Sequence, residues 1–147
     1  MMEIIVKHFN QLTLEELYEI IKIRIGVFVV EQNCAYQDLD DADKNAYHVY
    51  LKEGNEYLAY LRVIDKGERL DEVSVGRVIS LKRKQGLGRK LLKVGIEVAK
   101  EKFKAKAVKV GAQLYAKAFY EKVGFKQISN EYLEDGIPHI YMLYEEK

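Results

Sequence analysis

With 147 residues, 48% hydrophobic and 32% charged, the chain has the length of one ordinary domain and is too apolar to be disordered. Its 24 Lys and Arg balance 23 Asp and Glu, so a net charge of +1 supplies no global attraction to nucleic acid or anionic lipid, and any basic site has to be local. The single cysteine, Cys34, has no partner for an internal disulfide or a cysteine zinc site; with no signal-like start in MMEIIVKHFN and no apolar window near the roughly 18 residues of a membrane span, a cytoplasmic protein is expected.

In chain order, residues 4–9 (IIVKHF) predict a first strand. Thr13 and Glu16 stand three apart in the capping-box arrangement, and Leu14, Leu17, Tyr18, Ile21, Ile25 and Phe28 follow at helical spacing, so a helix is expected over residues 13–29. The acidic segment QDLDDADKNAY has no period and reads as a loop. Its Asp38, Asp40, Asp41 and Asp43 lack the glycine and closing glutamate of a calcium loop, so no metal is expected; solvation, or attraction of a cationic substrate, would account for them. YHVYLKE and YLAYLRVID flank Gly54 and Asn55 and predict a hairpin, and EVSVGRVIS adds a third antiparallel strand. A helix over residues 87–103, a strand over 107–113, a short helix over 116–124 and strands near 125–132 and 137–144 complete the pattern. Residues 1–147 therefore form a single α/β domain with a mixed sheet, whose ligand belongs at the carboxyl end of the strand before a Gly-rich turn.

That turn is KRKQGLGRKLL, residues 82–92. A glycine-rich turn opening a basic helix directs several backbone N–H groups at one anion, where the helix dipole adds positive potential. A Walker loop fails, because no Gly-Lys-Ser/Thr follows a glycine at the required distance. A dinucleotide fingerprint fails because Leu91 stands where its third glycine belongs. Arg83-x-x-Gly86-x-Gly88 remains.

This pattern resembles the central motif of the GCN5-related N-acetyltransferases (GNAT): Gln or Arg, two residues, Gly, one residue, Gly or Ala. AFYEKVGF, residues 118–125, is similar to that family's second signature. VFVVEQNCAYQDLD, GRV, Ala112-Gln113 and EDGIPHIYM narrow the resemblance to its ElaA-like branch. The connection from GRV to the loop is shorter than usual there, with only Ile79 to Lys82 before Arg83. The resemblance implies a mostly antiparallel twisted sheet flanked by helices, with a splayed strand pair forming a cleft for acetyl-CoA as co-substrate. It implies cofactor contacts from Arg83, Lys84, Gln85, Gly86, Leu87, Gly88 and Arg89, and a backbone donor to the acetyl carbonyl at Val78 or Ile79. Tyr120 would protonate the leaving thiolate, and Glu31, His48, Glu134 and His139 are the candidates for the base. The implied activity is acyl transfer, with acetyl passing to an amine, small molecule or peptide, by direct attack in a ternary complex. The alternative is a non-catalytic CoA-binding regulatory or interaction module. No nucleic-acid or membrane partner is expected, and a homodimer is left open.

Overall fold

The computed structural model describes residues 1–81 and 86–146. Eight strands form one sheet: β1 (Met2–His8), β2 (Tyr47–Glu53), β3 (Glu56–Ile64), β4 (Ser74–Ser80), β5 (Ala107–Gln113), β6 (Lys126–Gln127), β7 (Tyr132–Glu134) and β8 (Ile137–Glu145). Their order is β1-β2-β3-β4-β5-β8-β6, with β7 also paired to β8. Every pairing is antiparallel except β4 with β5, which is parallel and touches only at Ser74 and Lys109. The helices are α1 (Leu14–Arg24), α2 (Leu87–Phe103) and α3 (Lys117–Glu121).

Alternation along the strands divides the core between the two faces. Val49, Leu51, Leu61 and Val63 pack with Leu91, Leu92 and Ile96 of α2, each large side chain contributing about 2 kcal/mol by burial. Tyr50, Tyr57 and Tyr60 turn to the other face and pack against Ile20 of α1. With both faces covered, β3 is buried from Tyr57 to Ile64, which is why it reads as an apolar run rather than an alternating one. A Cβ on Gly95 would lie 2.9 Å from Leu61 Cδ1, so the glycine lets α2 settle close to β3 and fixes where its N-terminus points.

The capping box is formed: Glu16 N–H donates to Thr13 Oγ1 at 3.0 Å, and Thr13 N–H to Glu16 Oε1 at 2.8 Å. The helix expected to run to residue 29 instead ends at Arg24 and continues as a π-helical segment, Ile25–Glu31, with Cys34 N–H reaching Val29 O at 3.0 Å. The strand expected over 125–132 divides into β6 and β7 because Ser129 takes over a ladder position. Its Oγ accepts Tyr141 N–H at 2.8 Å, and Gln127 Nε2 donates to Ser129 O at 2.7 Å, so side chains replace the backbone partners. No helix among the described residues is long and apolar enough to cross a membrane.

The acidic segment is neither a solvated loop nor a free cation trap. Asp38 and Asp43 are buried, and so are Arg24 and Arg62. Arg24 pairs with Asp38 at 2.9 Å and Asp43 at 2.7 Å, Arg62 with Asp40 at 2.7 Å and Asp43 at 2.9 Å, and Arg77 with Asp38 at 2.9 Å. Burial alone would raise the Asp40 carboxyl, but the Arg62 guanidinium overrides it and brings it to about 2. His48 belongs to this cluster and not to any cleft, which corrects its candidacy as a base. It is fully buried on β2, with Nδ1 2.7 Å from the Tyr60 hydroxyl and Nε2 3.0 Å from Asp43 O. A carbonyl only accepts, so the proton sits on Nε2 and Nδ1 accepts from Tyr60, leaving no free nitrogen.

Asp43→Ala takes one of two carboxylates from each of two buried guanidiniums, which keep Asp38 and Asp40, and should lower unfolding free energy by about 3 kcal/mol in urea titrations. Burial, aided by Arg24 and Arg62, depresses the His48 pKa below 6.5 in the fold, so the unfolded chain binds the extra proton first. Stability should therefore fall as pH drops below 6.5, by up to about 1.4 kcal/mol per unit, and His48→Gln should flatten that segment of the curve.

Candidate active site

The cleft begins where β4 and β5 part. Lys109 N–H donates to Val73 O at 2.8 Å and the Ser74–Lys109 pair closes the vertex. Beyond it, Gly76, Arg77 and Val78 on one side face Val110, Gly111 and Gln113 on the other across an opening. A bulge turns β4 away: Tyr60 stands opposite Ile79 but Arg62 opposite Gly76, so Arg77 and Val78 together answer Leu61. Arg77 has φ +53°, a left-handed conformation that a non-glycine residue keeps only when held. Its guanidinium holds it, against Asp38 Oδ1 (2.9 Å), Asp38 O (3.0 Å) and the Tyr36 ring (5.5 Å).

The bulge also selects a backbone donor. Leu81 N–H bonds Leu58 O at 2.9 Å, and alternation along that ladder directs the Ile79 N–H toward Tyr60 and the Val78 N–H into the gap. Both expected carbonyl donors line the larger cavity, and Val78 also lines the smaller one; the Ile79 side chain is buried against Ile20 of α1.

Two cavities fill the cleft. One of about 430 Å³ lies beyond the carboxyl end of β4, between apolar walls that include Val27, Leu81 and Phe119 and the start of α2. The first bond within α2 is Lys90 N–H to Gly86 O at 3.1 Å, so the N–H groups of Leu87, Gly88 and Arg89 have no acceptor inside the helix. Gly88 is confined: a Cβ there would meet Ser80 Cβ at 3.1 Å and the Phe119 ring at 3.4 Å. Gly86 caps the helix at φ +68°. Arg83, Lys84 and Gln85, expected to join this site, lie outside the described residues.

The second cavity, about 120 Å³, is polar, with Gln32, Cys34, Arg77, Glu134 and His139 in its lining. His139 Nδ1 lies 2.7 Å from Ile137 O, which puts the proton on Nδ1 and turns Nε2 toward Glu134 Oε2 at 3.6 Å. Cys34 donates weakly to Asp135 O at 3.8 Å. Gln32 and Gln113, from opposite walls, form a reciprocal amide pair with both bonds at 3.1 Å. Phe28, Gln32, Val78, Tyr115, Ala116 and Tyr120 line both cavities, so Val78 and Tyr120 stand where the two join. Tyr120 is buried against Phe119 and Phe125, and burial pushes its phenol well above the ordinary value, which keeps it protonated.

The four base candidates thus separate. Glu134 and His139 share the smaller cavity, Glu31 lies on the larger one, and His48 is on neither. Gln32, Arg77 and Gln113 belong to the site without having been singled out. GRV and Ala112-Gln113 were visible as segments, but only the parting of β4 and β5 gives those side chains a shared cavity.

A splayed parallel pair, a bulged strand and a helix N-terminus beside them define an α/β acyltransferase architecture. Residues 15–146 match the acetyltransferase (GNAT) domain model, and the chain belongs to that family. A UPF0039 protein of Schizosaccharomyces pombe is 43% identical over 98% of this chain and 97% of its own length. The crystal structure of ElaA from Escherichia coli superposes with a TM-score of 0.91 at 36% identity, covering 99% of this chain and 100% of that one. An acyl-CoA N-acyltransferase from Pseudomonas aeruginosa gives 0.88 at 37% identity over 97% and 99% of the two chains.

Gly88→Asp adds atoms where Ser80 and Phe119 already press and puts a carboxylate beside the helix N-terminus. CoA affinity measured by calorimetry should fall by about 2 kcal/mol, roughly 30-fold, with the circular dichroism spectrum preserved. Unchanged affinity would mean that the phosphates bind elsewhere.

Proposed function

We propose that this chain transfers an acetyl group from acetyl-CoA to a primary amine by direct attack in a ternary complex. The observation that carries the reading is that Val78 and Tyr120 both line a large cavity at the start of α2 and a smaller one that holds Glu134 and His139. The larger cavity fits an acyl-CoA: the N–H groups of Leu87, Gly88 and Arg89, which have no acceptor inside the helix, suit the pyrophosphate. The open edge of β4 offers main-chain groups to an extended, amide-bearing arm. Bound acetyl-CoA supplies the activated thioester carbonyl.

Val78 N–H donates to the oxygen of that carbonyl and stabilises the negative charge that develops there, an effect of about 3 kcal/mol for one well-placed donor. His139 Nε2, oriented through its Nδ1–H bond to Ile137 O and backed by Glu134, takes a proton from the ammonium acceptor, directly or through one water. As the N–C bond forms and the C–S bond breaks, Tyr120 donates its proton to the departing sulfur, and the second proton shed by the acylated nitrogen passes through water to restore the Tyr120 hydroxyl. Direct attack by the amine needs no acyl-enzyme on Cys34.

Thiol release from acetyl-CoA over a panel of amines, measured beside CoA binding, tests the reading; binding without turnover would make the chain a CoA-binding module. Tyr120→Phe should lower kcat by about 10²-fold or more while CoA affinity and Tm hold nearly constant. A lower Tm with kcat intact would make Tyr120 a packing residue.

A further inference from the structure

Behind the smaller cavity, at the vertex where β4 and β5 part, lies a third of about 80 Å³ that shares Gly76, Arg77, Gly111 and Glu134 with it. Three side-chain polar atoms of residues lining it, Arg62 Nε, Arg77 Nε and Tyr132 Oη, are shielded from solvent and have no hydrogen-bond partner among the described residues. Arg62 is wholly buried, and its terminal nitrogens are occupied by Asp40 and Asp43 at 2.7–2.9 Å, which leaves the Nε–H over. Arg77 Nε lies 2.9 Å from Asp38 Oδ1 but off the line of its N–H bond. The Tyr132 ring stacks on Tyr141 at 4.7 Å, and the two phenols do not meet in hydrogen-bonding geometry. Buried donors are normally satisfied, so Arg62 Nε and the Tyr132 hydroxyl at one cavity, with Arg77 Nε misaligned on its own carboxylate, mark the seat of an acceptor.

The local charges give that acceptor its sign. Arg24, Arg62, Arg69 and Arg77 meet Asp38, Asp40 and Asp43, and Glu134 at the edge toward the smaller cavity balances the fourth guanidinium, so the pair of cavities as a whole suits a zwitterion. Arg69 lies on this cavity, with a half-exposed side chain 3.5 Å from Asp40. Unpartnered guanidinium and phenol donors, with the half-exposed Arg69 beside them, fit an anion, and in so small a space a carboxylate. The adjoining cavity has the opposite character, with Glu134 and His139 suited to an amine.

We propose that the acceptor is an ω-amino acid. Its amine lies beside Glu134 and His139, and its carboxylate enters the vertex cavity against Arg62 Nε–H, the Tyr132 hydroxyl and Arg69. This rests on the amine-transfer reading above and narrows it to one substrate class. The amine and carboxylate sites lie in adjoining cavities on either side of the β4 bulge, which calls for a spacer of a few methylenes and disfavours an α-amino acid held by its α-nitrogen.

The test compares aminobutanoate and aminopentanoate, amino group on the terminal carbon, with butylamine, pentylamine and the aminopentanoate methyl ester. The free amino acids should be acetylated with kcat/KM at least about tenfold above their uncharged counterparts, as charge-assisted bonds require. Arg69→Gln and Tyr132→Phe should each cut that preference by about tenfold, and Arg69→Lys should restore much of it. Turnover with no carboxylate preference, or a preference that neither variant moves, overturns this assignment while amine transfer stands. CoA binding with no turnover of any amine in the panel overturns both.

Discussion

A guanidinium sealed from water has to find its carboxylates, and in this chain that requirement decides where the wall of the cleft goes. Arg24 closes α1, Arg62 sits mid-strand in β3 and Arg77 occupies the β4 bulge, while Asp38, Asp40 and Asp43 come from one irregular stretch between them. Leaving any of these charges buried and alone would cost several kcal/mol, so the stretch cannot drift from the sheet without breaking more than one pair. Apolar side chains of equal volume could match the cluster in net stability. They could not hold Arg77 at φ +53°, nor leave an N–H pointing out of the ladder at Val78. The cluster is better understood as fixing one arrangement than as adding strength.

From that constraint the cleft acquires its two sides. The bulge and the single Ser74–Lys109 contact open the sheet, and the glycines at 88 and 95 let the N-terminal turn of α2 come close to β3 and β4 beside the opening. The π-helical segment supplies the third wall: its wide turn carries Phe28, and just past it Gln32, to the line where the two cavities meet. The amide pair of Gln32 and Gln113 then ties this wall to the end of β5, across 81 residues of sequence. Either amide turned alone would set nitrogen against nitrogen, so the pair fixes its own orientation.

Much of this was legible in the residues and some was not, for reasons of range. The helix over 87–103 and the strand over 107–113 were found at their observed limits, Leu87–Phe103 and Ala107–Gln113, because amphipathic and alternating patterns are local. The capping box was visible for the same reason. The Asp run misled because its partners lie 14 to 39 residues away on three different elements, each looking like an isolated charge. Two signals were present: Arg24 falls four residues after Ile20 on the buried face of α1, and Arg62 interrupts an apolar strand between Leu61 and Val63. A charge on a core-facing position asks for a buried partner, and the nearby acids were the available ones. The π-helical widening and the break at Ser129 depend on tertiary bonds that no local period encodes.

The same burial that organises the site sets how its protons move. His48 and His139 are chemically alike, yet His48 spends both nitrogens on Tyr60 and Asp43, whereas His139 spends only Nδ1 and keeps Nε2 for the smaller cavity. Tyr120 poses the opposite question, since a phenol raised by desolvation is a weaker acid than a free one, and an ordinary thiol titrates near 8.5. Taken in water, that transfer would run uphill. In the proposed transfer a sulfur departing at the junction of the two cavities would be desolvated too, and removal of water raises the pKa of an anionic thiolate just as it raises that of a phenolate. What matters is the difference between the two groups in the place where they meet, which is smaller than their separate values suggest. A hydroxyl that keeps its proton until a sulfur anion forms beside it, and only then shares it, is therefore suited to that position without being a strong acid.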